Sequence, residues 1–256
     1  MDYYPGFDIS FDSATHEFAY GKGVYGPKSE LRLLDDIRPS LEDPACSGPE
    51  VLYSIAMDVG RETDRDMIVE RNLLFGVVWY SSGSMGEEPV RSQGHIHAVS
   101  PSCNDSTCEV YEIWDGEACI YMQQFSGDDA GRCIAVHAKA GDVVVVPPGW
   151  VHATINAKPD SNMIFGAWCV RDYGFEYQNV CEHGGIAYFP VLRDGGLYWK
   201  TNARYLSSVF CECGAREYPE LGIEAGVPIY SQFCNDPDKF LFVSNPQIAQ
   251  DVWKRA

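Results

Sequence analysis

Residues 141–156 read GDVVVVPPGWVHATIN, and the fold is decided there. Gly141 turns the chain, and the four valines that follow have the composition of a buried β-strand. Pro147, Pro148 and Gly149 then force a tight bend, because proline restricts φ and glycine accepts conformations closed to other residues. His152 starts the returning strand. A hairpin that bends just before a histidine can project its imidazole into the interior of a small barrel.

Upstream, residues 94–97 read GHIH and residues 109–116 read EVYEIWDG. Residues two apart on a strand share a face, so His95 and His97 project to one side. Glu109 opens the next strand and Gly116 turns it. Any one of these histidines alone would read as a core or surface residue. Three of the chain's six, at this spacing and with a carboxylate between them, read as a ligand set. His95, His97, Glu109 and His152 make a site for one divalent ion with coordination positions left open. Such a set suits iron, manganese, nickel or zinc.

Around these segments, short runs rich in Val, Ile, Tyr, Phe and Trp recur: 51–57, 73–80, 110–114, 118–124, 133–137, 142–146, 152–155 and 163–170. Gly, Pro, Asp or Ser separates them. Strands at close spacing with turn signals between them predict an all-β sandwich or barrel of the jelly-roll kind. Residues 1–50 read as an N-terminal arm with one short helix over 29–37, and 51–190 as the barrel. Residues 191–256 read as an extension wrapping the barrel, strand-like at IAYFPV and GLYWKT and helical over 246–254. With 45% apolar residues the chain can bury one sizeable core, so the three parts read as one unit.

The formal charge of -18 repels phosphate backbones and anionic lipid heads, which excludes nucleic acid and membrane surfaces as partners. It leaves a small anionic substrate open, since a local pocket can outweigh the global field. No apolar run is long enough to span a bilayer. The first residues, MDYYPGFDIS, lack the basic and apolar regions of a signal peptide. The 10 cysteines then read as reduced thiols in a cytoplasmic protein. Neither Cys103 with Cys108 nor Cys211 with Cys213 has the spacing of a common zinc ribbon. A homodimer is the expected assembly, because twofold dimers are the commonest.

The two segments resemble the paired cupin motifs. The second, G(X)5PXG(X)2H(X)3N, is matched at Gly141, Pro147, Gly149, His152 and Asn156. The first is present as His95-x-His97, Glu109 and Gly116, with a lengthened loop after His97 and with Pro89 where a leading glycine is usual. The stretches GSMGEEPVRSQGHIH, EVYEIWDGEACIYMQQ and VVVVPPGWVHATIN are similar to cupin-type, archaeal-style phosphoglucose isomerases, a resemblance running from about Tyr53 to Phe189. It implies a cupin jelly-roll barrel, and metal ligation by His95, His97, Glu109 and His152. It also implies sugar contacts from Tyr53, Tyr111 and Tyr177, and a phosphate side at Ser92 and Gly94. Three positions depart from the family: Val78 stands for a threonine, Trp168 for a tyrosine late in the barrel, and Phe175 for a histidine.

The function implied is aldose–ketose isomerisation, with glucose 6-phosphate and fructose 6-phosphate as the family's pair. Glu109 is then both ligand and candidate base, and Tyr111 orients hydroxyls; a hydride shift fits the same residues. Two other readings stay open. One is a non-catalytic sugar-binding cupin. The other is a different metal enzyme, an oxygenase or an isomerase of an unphosphorylated sugar, which Val78, Trp168 and Phe175 favour.

Overall fold

A computed structural model of the chain describes residues 1–254. Two sheets carry the fold. The larger has six strands in the order Val143–Val146, Glu109–Asp115, Met163–Val170, Leu73–Tyr80, Val51–Met57 and Glu30–Leu33, all antiparallel. The smaller has four, in the order Val151–Asn156, Glu117–Gln123, Asp129–Lys139 and Ser207–Gly214. Among the described residues, no strand pairing of the named strands joins one sheet to the other. The expected jelly roll is therefore held shut by side-chain packing between two facing sheets.

That packing forms the inner core. Leu74, Val78, Ile113 and Phe165 from the larger sheet share one buried cluster with Ile120, Met122 and Val136 from the smaller. A second cluster covers the outer face of the larger sheet, where Phe75, Val77, Trp114 and Trp168 meet Phe7 of the arm and Ile229, Tyr230, Phe233 and Phe240 of the C-terminal segment. Both Leu73–Tyr80 and Met163–Val170 are buried along their whole length, which is why they read as continuous apolar runs with no polar alternation. Aromatic stacking knits the outer layer: Trp168 lies against Tyr230 with centroids 5.6 Å apart and planes at 12°. Each such pair adds about 0.5–1.5 kcal/mol beyond its buried area. Gly166 makes room for this layer, since a Cβ there would meet Trp114 at 2.1 Å.

Three features differ from the sequence expectation. The segment 29–37 is a strand, Glu30–Leu33, before it becomes the short helix Leu34–Ile37. Tertiary pairing with Val51–Met57 overrides its weak helical pattern. Between GLYWKT and the C-terminal helix, where the sequence reading gives no strand, Ser207–Gly214 joins the smaller sheet in parallel with Asp129–Lys139. A partner so distant in sequence leaves no local signal. Trp168 points outward into the aromatic layer, and Cys169 takes the inward face beside it. No helix among the described residues is long and apolar enough to cross a membrane.

Candidate metal centre and cavity

The hairpin 143–156 and the short strand Ile96–His97 place the imidazoles. His95 and His152 face each other across an antiparallel bridge, each N–H donating to the other's carbonyl at 3.1 and 2.9 Å. Residues directly opposed in such a pair project to the same side. Their rings lie 4.3 Å apart, and His97 is 5.0 Å from His152. Gly94 has φ of +91°, which lets the chain turn into this bridge, and its missing Cβ points at Ile186 and Val180, away from the cluster.

Glu109 arrives from the larger sheet. Its Oε2 lies 3.2 Å from His152 Nε2 and 3.3 Å from His97 Nε2, and it accepts a hydrogen bond from the Tyr111 hydroxyl at 2.8 Å. Its Oε1 accepts from the Cys169 thiol at 3.1 Å. One nitrogen or oxygen from each of His95, His97, Glu109 and His152 falls within 4.8 Å of every other.

The electrostatics favour ligand-ready forms. His97 Nδ1 lies 2.9 Å from the Thr107 carbonyl, and His152 Nδ1 lies 3.2 Å from that of Trp150. A proton on each Nδ1 satisfies these carbonyls and leaves the Nε2 lone pair facing the cluster. Burial, followed by the neighbouring His152 and His97, holds His95 well below the usual imidazole range, so it stays neutral. Burial alone would raise the Glu109 carboxyl, but the neighbouring His152 and His97 outweigh burial and hold it well below the usual carboxylate range.

Does this set fit a metal? His95 Nε2 and His97 Nε2 are buried without a hydrogen-bond partner. Unpartnered buried nitrogens are costly, and a divalent cation is the partner that three imidazoles and one carboxylate suit. The residues fit.

His95 and Glu109 of the cluster line a cavity together with Tyr53, Tyr80, Tyr111, Tyr177, Ser92 and Phe175, among others. Tyr53, Ser92, Tyr111 and Tyr177 were expected to be there from sequence; Gly94 does not line it. Ser92 exchanges bonds with the strand beside it: its N–H donates to the Thr154 carbonyl at 2.9 Å and its Oγ accepts from the Thr154 N–H at 3.0 Å. The segment is clamped by a buried ion pair, Arg91 to Glu88 at 2.7 Å, whose guanidinium also donates to the carbonyls of Ser40 and Ser92. Removing one partner of such a pair costs about 3–5 kcal/mol. Val78 lines the wall with methyl groups, and Phe175 lies 4.4 Å from the His95 ring.

Sequence reading missed Arg32, Tyr80, Thr154 and Cys169. Thr154 was available in principle, because it stands two residues after His152 on one strand and so shares its face. Tyr80 shares the face of Val78 by the same parity. Arg32 and Cys169 carry no such signal. The lengthened loop after His97 is tied down by Asp172, which accepts from Ser100, Ser102 and Asn72. Cys103 and Cys108 on that loop are not paired, and all ten cysteines are free.

Comparison with known proteins adds the lineage. A model of the glucose-6-phosphate isomerase (GPI) family matches residues 37–207. The chain is similar to the glucose-6-phosphate isomerase of Pyrococcus horikoshii, 32% identical over 70% of this chain and 85% of that protein. It is similar to that of Thermococcus litoralis at 25% identity, over 71% of this chain and 90% of the relative. It also resembles the glucose-6-phosphate isomerase of Sinorhizobium medicae at 26% identity over half of this chain, spanning only 55% of that protein.

Proposed function

The chain belongs to the glucose-6-phosphate isomerase family, and on that premise we propose that it is a metal-dependent aldose–ketose isomerase interconverting glucose 6-phosphate and fructose 6-phosphate. One observation carries the reading: the four candidate ligands converge, and two of them, His95 and Glu109, line a cavity whose other walls hold Tyr53, Tyr80, Tyr111, Tyr177 and Ser92. Aromatic walls with a few polar groups suit a sugar.

A divalent ion (iron, manganese, nickel or zinc) held by His95, His97, Glu109 and His152 would supply Lewis-acid stabilisation of negative charge on the substrate's reacting oxygens. The chain's own residues do the rest. The Thr107 and Trp150 carbonyls fix the His97 and His152 tautomers. Tyr111 holds the Glu109 carboxylate by its hydroxyl and lines the cavity. Tyr53 and Tyr177 orient sugar hydroxyls, and Ser92 faces the phosphate side. The Glu109 carboxylate takes a proton from one carbon and returns it to the next. A second reading is direct hydride transfer between the two carbons. The same residues fit it, with Glu109 then serving as a ligand and not as a base.

Two finer points belong to the same reading. With ten free thiols the protein fits a reducing, cytoplasmic compartment. A homodimer is the proposed assembly, and a monomer mass by light scattering would refute it.

The test uses metal-stripped protein with iron, manganese, nickel or zinc added back in turn, assayed on fructose 6-phosphate. Metal-dependent formation of glucose 6-phosphate, abolished in His95→Ala, is the expected result. Stoichiometric metal with no turnover would reject the isomerase reading for this substrate and move the search to free sugars.

A further inference from the structure

The cavity contains one Lys or Arg side chain, Arg32, and it comes from a strand outside the 37–207 segment shared with the isomerase family. Glu30–Leu33 is the edge strand of the larger sheet, and Arg32 stands directly opposite Tyr53 in its register. Tyr53 in turn stands opposite Tyr80, with rings stacked 4.8 Å apart. Paired residues project to one face, so Arg32, Tyr53 and Tyr80 form a row across the sheet that ends at the cavity.

Two features give this row a purpose. Where the family usually places a threonine, Val78 offers only methyl groups to the cavity wall. The formal charge of -18 also opposes an approaching anion, so a cavity that takes one needs a local cation. We propose that Arg32 reads the anionic end of the substrate, the phosphate of a sugar phosphate, in place of the missing hydroxyl. This rests on the isomerase reading for the identity of the sugar, though not for the binding of phosphate.

The present partner of Arg32 is replaceable. Glu30 Oε1 accepts from Arg32 Nη1 at 2.5 Å, and the Glu30 side chain is 65% exposed. A carboxylate in water gains little from one surface ion pair. A phosphate can instead accept two parallel N–H bonds from the planar guanidinium, the geometry in which arginine surpasses lysine. Glu30 is thus a partner that an anion can displace.

The experiment has a binding arm and a kinetic arm, both on metal-loaded full-length protein. In the binding arm, titration calorimetry measures inorganic phosphate on the wild type, Arg32→Ala, Arg32→Lys and Glu30→Gln. Loss of a charge-assisted pair weakens binding about 10- to 100-fold in Arg32→Ala. Arg32→Lys recovers part of the loss. Glu30→Gln binds severalfold tighter, a gain that a misfolded variant cannot imitate. In the kinetic arm, Arg32→Ala raises KM for fructose 6-phosphate by a similar factor, a larger change than it makes to kcat or to any turnover of fructose.

Equal phosphate binding by the wild type and Arg32→Ala overturns the proposal whatever the turnover. So does absence of phosphate binding in the wild type. Phosphate binding that depends on Arg32, in a protein that isomerises nothing, upholds it and rejects the isomerase reading alone.

Discussion

Glu109 and Glu112 stand on one strand, both buried, and they end in opposite states. Glu109 faces inward, where His97 and His152 hold its carboxyl far down in the acid range. Glu112 faces outward, under the N-terminal arm and the C-terminal segment, where burial pushes its carboxyl up to about 7. Hydrogen bonds from the Ile229 N–H at 2.8 Å and the Trp114 indole at 2.9 Å only partly offset that burial. The difference lies in what each face offers. Imidazoles beside a carboxylate stabilise its charge, whereas an aromatic layer with two neutral donors does not supply enough. One face of the sheet is therefore built for chemistry and the other for attachment of the two chain ends.

The sharpest way to break this comparison is to remove each charge without changing shape. Glu109→Gln is expected to stay folded and to lose isomerisation by about 10²- to 10⁴-fold, measured on samples with quantified metal. Full activity in a metal-loaded Glu109→Gln would sink the base role and leave hydride transfer. Glu112→Gln in the same assay should match the wild type, because its side chain is on the other face.

The next effect is on stability against pH. The folded-state pKa of Glu112 stands above its ordinary 4.5, so its contribution is fully present below that value. It is lost as pH rises to about 7. That gap corresponds to ~3 kcal/mol. Denaturant unfolding of the wild type and Glu112→Gln between pH 4.5 and 8 should show the variant gaining on the wild type by that swing. A flat difference curve would mean that Glu112 is ionised in the folded protein throughout.

The smallest effect concerns the neighbours Trp168 and Cys169, which divide the two faces between them. Cys169→Ala removes one thiol donor from Glu109 and is expected to lower kcat only severalfold, by about 1 kcal/mol of lost hydrogen bonding. Cys169→Ser, which keeps a donor, should recover most of it. An unchanged kcat in both variants would show that the thiol does not position Glu109.

Much of this site was legible before any coordinates. The ligand set was readable because each member sits beside a local constraint: the GHIH spacing, the Pro-Pro-Gly bend before His152, and Glu109 at the start of its strand. Tyr53, Ser92, Tyr111 and Tyr177 followed from the resemblance and line the cavity. The face of Trp168, aligned with a family tyrosine late in the barrel, was not legible, since a fully buried run such as Met163–Val170 has no polar alternation to fix its parity.

Sequence by itself determined most of the barrel strands, the bend and the four candidate ligands, because each depends on residues close together in the chain. The tertiary structure alone decided the rest. Arg32 reaches the cavity through its register with Tyr53, and Ser207–Gly214 finds a sheet edge far upstream. Glu112 owes its raised pKa to Ile229 and the aromatic layer that the C-terminal segment brings over it. Register, burial and dielectric are set by which distant segments meet, and no local spacing records that.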